Sequence, residues 1–226
     1  MGTKISDRLL RLDTCAVSDA MDALGLWGTV NEINPVSVRR RIAGRVQTVK
    51  LGPASKIIPK SHLCSAAIDA ANPGDVIVVE NHTREDAAGW GGILSTAAEH
   101  KGVSGTIVDG PARDADESID LDYPVFARST VSSTARGRIV EHAWNVPVVI
   151  GRVNVEPGDL VIADSSGVVF IPKDREEEVV AKAEEIAAKE VAMGKAVRSG
   201  KPVSQVMGCL LYTSPEPTRP RLISYA

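Results

Sequence analysis

The chain has 226 residues, of which 43% are hydrophobic and 24% charged, enough apolar material to bury the core of one domain and too much for a disordered chain. A formal net charge of −3 leaves no basic footprint, which excludes nucleic acid as an expected direct partner. Apolar runs such as 76–79 and 146–150 are strand-length, far short of a membrane span, and residues 1–11 lack the apolar stretch of a secretory signal, so a cytoplasmic protein is expected.

In chain order, Thr14 is expected to cap a helix over 15–24, with Gly25 as its left-handed stop. Strands are expected at 42–51, 76–80, 106–109, 146–150, 160–163 and 168–171, each bounded by Gly, Pro or Asn. The Pro-Gly-Asp turns at 73–75 and 157–159 repeat one device, a corner preset by proline from which an apolar strand departs. Asp174 and Glu177 have capping-box spacing for a long helix towards Arg198, with Val179, Val180, Ala183, Ile186, Ala187 and Val191 as its apolar stripe. No linker divides residues 1–208, which predicts a single α/β domain. At Cys209 the composition switches abruptly, and 209–226 reads like translated sequencing-adapter DNA, a non-native tail. Cys15, Cys64 and Cys209 form no close pair, so neither a disulfide framework nor a zinc set is expected.

The most informative segment is 89–114, GWGGILSTAAEHKGVSGTIVDGPARD. Gly91 and Gly92 let the backbone turn sharply towards a ligand, and 93–100 reads as a short helix. Its first turn leaves unpaired N–H groups at the positive end of the helix dipole, which makes the amides of Ile93 and Leu94 a carboxylate or phosphate cradle. Residues 106–108 then read as a buried strand entering a turn at Asp109-Gly110, followed by Arg113 and Asp114.

The spacing from GGIL to DGPARD resembles the divalent-metal-dependent pyruvate aldolases that act on 4-hydroxy-4-methyl-2-oxoglutarate, a family that also includes the RraA regulators of ribonuclease E. Residues 11–25, 124–127, 157–159 and 164–172 resemble its N-terminal helix and later strands. The resemblance implies a swivelling β/β/α-type sandwich with an N-terminal helix and a long C-terminal helix, assembled as a homotrimer or hexamer with its site between protomers. It implies an enzyme that cleaves 4-hydroxy-2-oxo diacids to pyruvate and decarboxylates oxaloacetate through a shared pyruvate enolate. The rival expectation is a non-enzymatic RraA-like regulator that binds a protein partner such as a ribonuclease.

Asp114 suits a hard ion, Mg²⁺ or Mn²⁺, which takes one or two carboxylates and completes its shell with water and substrate oxygens. Arg113 suits the carboxylate or 2-oxo oxygen of a small 2-oxo carboxylate substrate, because its planar fork stays charged as an enolate develops. Asp109 is a candidate for a contact to metal-bound water, although an Asp-Gly turn needs such a residue for its backbone alone. A water or a nearby carboxylate could take the C4 hydroxyl proton. The family resemblance implies a glutamate from the neighbouring subunit's C-terminal helix, matched here by Glu190. Asp86 reads as part of an exposed loop, and Trp90 as packing or pocket lining. His62, His82, His100 and His142 lack metal-ligand spacing, and no lysine carries a Schiff-base motif.

Overall fold

The computed structural model describes residues 4–54, 62–81 and 84–211. Two N-terminal helices, α1 (Ile5–Leu9) and α2 (Thr14–Ala23), precede short strands β1 (Thr29–Val30) and β2 (Asn34–Pro35) and the long β3 (Ile42–Pro53). The middle of the chain alternates α3 (Ser65–Ala70), β4 (Val76–Glu80), α4 (Gly92–Lys101), β5 (Gly105–Ala112), α5 (Ala115–Asp120) and β6 (Val125–Thr130). The strands β7 (Ile139–Trp144), β8 (Val148–Ile150), β9 (Val153–Val155), β10 (Leu160–Asp164) and β11 (Gly167–Ile171) lead to α6 (Glu176–Arg198) and α7 (Val203–Leu211).

The main sheet runs β1-β11-β10-β3-β4-β5-β6-β2, with β7 added on β3. β3, β4, β5 and β6 are parallel, so their strands are buried on both faces and read as continuous apolar runs; every residue of β4 and β5 is buried. One face carries α3 and α4, whose Ile68, Leu94 and Ala98 join Val49, Ile77, Val79 and Val108. The opposite face packs Val46, Val78 and Ile107 against the β8–β9 hairpin, and a third cluster joins α2 and α6 to β10 and β11. This is the mixed α/β single domain with a long C-terminal helix that the sequence predicts.

Several local expectations are corrected. Asp13, not Thr14, caps α2 by accepting from the Ala16 N–H at 2.8 Å, while the Thr14 hydroxyl donates to Asp164 Oδ1 at 2.6 Å. Gly25 is left-handed, at φ 67°, as expected. The strand expected from 146 starts at Val148, because the Thr48 hydroxyl occupies both the carbonyl and the N–H of Val146 and Pro147 has no N–H. Asp109-Gly110 is no turn: β5 continues through it to Ala112, with a register shift against β6 between Val108 and Pro111. α6 opens without a capping box, since the Glu177 carboxylate pairs with Arg8 at 2.7 Å, and the N-cap is Arg175. Its stripe holds to Ala187, but Val191 is 56% exposed. Helix α7 ends at Leu211, and residues 212–226 lie outside the described residues.

Asp75 and Asp159 have the structural role expected of the two Pro-Gly-Asp corners. Asp75 accepts from the Asn72 N–H and Asp159 from the Glu156 N–H, each at 2.9 Å, and Gly74 and Gly158 take positive φ.

Candidate functional site

The C-terminal ends of the parallel strands place two loops side by side. After β4 the chain crosses to Gly91, extended at φ −163°, and enters α4 at Gly92; after β5 it passes Arg113 and reaches Asp114. The loops are stitched together by the Gly89 N–H donating to the Pro111 carbonyl at 2.9 Å and the Arg113 N–H donating to the Trp90 carbonyl at 3.0 Å. Crevices beyond the carboxyl ends of parallel strands are where α/β sheets bind ligands.

Asp114 is left-handed, with φ 57° and ψ 42°, an uncommon state for a residue with a side chain. That geometry turns its carboxylate onto the start of α4, where Oδ2 accepts from the Gly92 N–H at 3.0 Å and from Arg113 Nε at 3.1 Å. The protein's own carboxylate therefore fills the first amide of the cradle. The amides of Ile93 and Leu94, in the first turn of α4, have no acceptor among the described residues. The terminal guanidinium nitrogens of Arg113 and the Oδ1 atom of Asp114 are also without a protein partner among them.

A cavity of about 120 Å³ lies over this corner, lined by Gly91, Gly92, Ile93, Leu94, Arg113 and Asp114, with His62, Trp90 and Thr134 among the other residues of its wall. Sequence reasoning missed Glu117. An ideal Cβ on Gly92 would stand 1.6 Å from Glu117 Oε2, so that carboxylate lies directly over the Gly92 backbone. The signal was available: Glu117 follows Asp114 by three residues, the spacing that brings two side chains to one face once 115–120 is helical. His62, set aside on spacing, reaches the cavity wall with Nδ1 3.1 Å from the Leu63 carbonyl, and nothing in the sequence marked it.

The other expected residues lie elsewhere. Asp109 is buried, its Oδ1 paired with Arg128 Nε and its Oδ2 accepting from the Gly151 N–H at 2.6 Å, in the wall of a different cavity from that of Asp114. Glu190 is exposed on α6 and shares a third cavity, of about 430 Å³, with Asp13, Cys15 and Arg39. Partial burial and the nearby carboxylates of Asp13 and Asp19 push its carboxyl above the usual range. The cavity that Glu190 lines contains neither Arg113 nor Asp114 among the described residues. Asp86 is exposed and salt-bridged to Arg84 at 2.5 Å. Trp90 is core, 1% exposed and stacked on Tyr123 with ring centroids 6.5 Å apart. Cys64, beneath the loop, is buried with its thiol 3.7 Å from the Gly89 carbonyl, and burial pushes that thiol well up; Cys15 is exposed, and both are free.

The family profile described as RraA-like, Aldolase/RraA, matches residues 14–170, which include the whole cradle and corner. The chain belongs to the RraA-like family. Among RraA-like relatives, "Protein DlpA" of Legionella pneumophila is 31% identical over 92% of this chain, which spans about a third (34%) of that protein's length. A Halalkalibacterium halodurans protein named "Putative 4-hydroxy-4-methyl-2-oxoglutarate aldolase" is 32% identical, over 82% of this chain and 85% of its own. Of solved RraA-like structures, a protein from Pseudomonas syringae pv. tomato superimposes with TM-score 0.81 at 34% identity, covering 90% of this chain and 96% of that one. RraAS2 of Streptomyces coelicolor, described as an unusual member of the RNase ES inhibitor RraA family, gives TM-score 0.77 at 25% identity over 84% and 96%.

The donor set bears on the metal. Among the described residues no group of three His, Cys, Asp or Glu side chains converges, so a closed cage of protein ligands is absent from them. Asp114, with a free oxygen, and Glu117 beside it instead offer an open set of two carboxylates. Such a set fits a hard divalent ion that keeps water and substrate oxygens in its shell.

Proposed function

We propose that this chain is a divalent-metal-dependent carbon–carbon lyase that cleaves 4-hydroxy-4-methyl-2-oxoglutarate or a related 4-hydroxy-2-oxo diacid to pyruvate, and decarboxylates oxaloacetate through the same pyruvate enolate. One observation carries the reading: the amides of Ile93 and Leu94, the open guanidinium fork of Arg113 and the carboxylate of Asp114 meet around one small cavity, with the Glu117 carboxylate beside it over the Gly92 backbone. The name of the Halalkalibacterium relative supports the same substrate class.

Asp114, with Glu117 beside it, would hold Mg²⁺ or Mn²⁺. When bound there, such an ion supplies a Lewis acid to the 2-oxo carbonyl, the electron sink that both bond cleavages need. The amides of Ile93 and Leu94 bind the substrate's C1 carboxylate and fix its plane. Arg113 hydrogen-bonds the 2-oxo oxygen and stays charged while negative charge grows there, so it stabilises the enolate more than the ketone. Glu190, delivered by a neighbouring protomer of a homotrimer or hexamer, takes the C4 hydroxyl proton; Asp109, within β5, holds Arg128 and the Gly151 amide rather than acting at the reacting atoms.

The test is pyruvate release from oxaloacetate and 4-hydroxy-2-oxo diacids with Mg²⁺, with Mn²⁺ and with excess EDTA. Turnover that needs the ion is expected. Undiminished turnover in EDTA, with a substrate adduct trapped by borohydride, overturns the mechanism. The likeness to RraAS2 supports a second reading, a regulator that binds a ribonuclease; no pyruvate from any substrate, together with inhibition of a ribonuclease by the pure protein, would favour it.

A further inference from the structure

Beneath the cradle runs a chain of buried hydrogen bonds. Trp90 Nε1 lies 2.9 Å from Ser95 Oγ, Ser95 Oγ lies 2.9 Å from Ser118 Oγ, and Ser118 Oγ lies 3.3 Å from the carbonyl oxygen of Asp114. Trp90 and Ser118 are each 1% exposed and Ser95 is fully buried.

The chemistry of the donors gives this chain one direction. An indole N–H can only donate, so Ser95 Oγ accepts from it and has its single proton left for Ser118. Ser118 in turn accepts from Ser95 and donates to the Asp114 carbonyl. Each hydroxyl in the chain therefore gives one bond and receives one. Hydroxyls this deeply buried cost free energy relative to alanine unless they are bonded, so the arrangement only makes sense as a complete set.

The termini of the relay are the two halves of the site. Trp90 is next to Gly91 at the mouth of the cradle, and Ser95 is in the first turns of α4. Ser118 belongs to α5, and the carbonyl it holds is that of the left-handed Asp114, which also accepts from the Ser118 N–H at 3.2 Å. A non-glycine residue keeps such a backbone only where its surroundings over-determine it. Two bonds from Ser118 to the carbonyl, and those from Gly92 and Arg113 to the carboxylate, provide that constraint.

We propose that Ser95 and Ser118 are positioning residues: through this one-way relay they lock α4 to α5 and hold the Asp114 carboxylate in register with the amides of Ile93 and Leu94. The inference rests on the reading of Asp114 as the ion-anchoring group for its functional meaning, but the relay itself is testable without any ligand.

The experiment compares wild type with Ser95→Ala, Ser118→Ala and the double variant. Hydrogen exchange at the Trp90 indole N–H is read by NMR, alongside Mn²⁺ titration by electron paramagnetic resonance and the thermal midpoint. Ser118 reaches the Trp90 indole N–H by hydrogen bonds through Ser95. Faster exchange of the Trp90 indole and of the Gly92 amide in Ser118→Ala, by about tenfold, is the expected result. Mn²⁺ affinity falls in both single variants and no further in the double, because one relay is broken once. Ser118→Thr, which keeps the hydroxyl, restores slow indole exchange. Unchanged exchange at both reporter protons in Ser118→Ala, or additive losses in the double variant, overturns the relay. A wild type that binds no Mn²⁺ overturns the proposed function, while the exchange data still decide for or against the relay.

Discussion

Replacing Gly92 by alanine separates the site from the fold. Gly92 is outside the left-handed region, so alanine at this first helical position meets no backbone strain and stabilises by about 0.4–1 kcal/mol through the unfolded state. The new Cβ, however, would stand 1.6 Å from Glu117 Oε2 and 3.3 Å from the Asp114 Cβ. The carboxylate is the end of a flexible, exposed side chain and swings away at little cost to folding, whereas the Asp114 contact is tight but tolerable. On the proposed reading of the site, a divalent ion at Asp114 then loses the carboxylate beside it. Loss of such a supporting partner costs about 10–100-fold in metal affinity, or about 1.4–2.7 kcal/mol. The expected outcome is an unchanged or raised thermal midpoint, Mn²⁺ binding weakened by that factor in calorimetry, and pyruvate release at fixed Mn²⁺ reduced to match. Glu117→Ala should lose as much alone, and the double variant no more. Wild-type Mn²⁺ affinity and turnover in Gly92→Ala would refute the placement of Glu117 in the site, and a midpoint lowered by several degrees would show that the glycine serves the backbone.

Arg113→Lys should retain Mn²⁺ affinity but lose turnover by about 10²–10³-fold, because lysine keeps the charge without the fork; steady-state kinetics with a parallel Mn²⁺ titration decides it. Asp114→Asn should lose Mn²⁺ binding itself, which the same titration reads. At Asp164, burial raises the pKa but the Thr14 hydroxyl and amide, the Ser166 amide and Arg41 outweigh it, and the group ends below its ordinary 3.8. Its contribution is therefore complete above the unfolded value and lost as pH falls through the lower folded one. Asp164→Asn should cost about 1–3 kcal/mol in urea denaturation near neutral pH, with the difference from wild type shrinking in acid. Removal of residues 212–226 should leave the midpoint and turnover unchanged, and a drop in either would make that segment a working part of the protein.

The apolar strands were legible because parallel strands buried on both faces leave unbroken Val and Ile runs, as at 76–79. The start of α4 was legible for a different reason: paired glycines before an Ala-rich run announce a helix N-terminus, found at Gly92. What the sequence concealed was set by tertiary partners. Thr14 and Asp13 are both good caps, and only Asp164, 150 residues away, draws the Thr14 hydroxyl off. Glu177 has capping-box spacing, yet Arg8 takes its carboxylate. Asp109-Gly110 has the composition of a turn, but pairing of Asp109 with β4 and the bond from the Gly151 amide to its carboxylate hold it as strand. Asp114 was legible by motif, whereas its left-handed backbone and the capture of the Gly92 amide are products of the β4–α4 and β5–α5 loops lying together.

The double allegiance of β3 also sets an order in time. Its first residues, Ile42 to Arg45, pair with β10, while 46–50 pair with β4. On a ribosome that makes the chain from its N-terminus, β3 to β6 and both site loops are synthesised before residue 160. The parallel half, with its cradle, can then assemble while the leading end of β3 still exposes an unpaired edge. That edge waits for β10 and β11, which makes the interval between them the stage of synthesis most open to wrong pairing with another nascent chain.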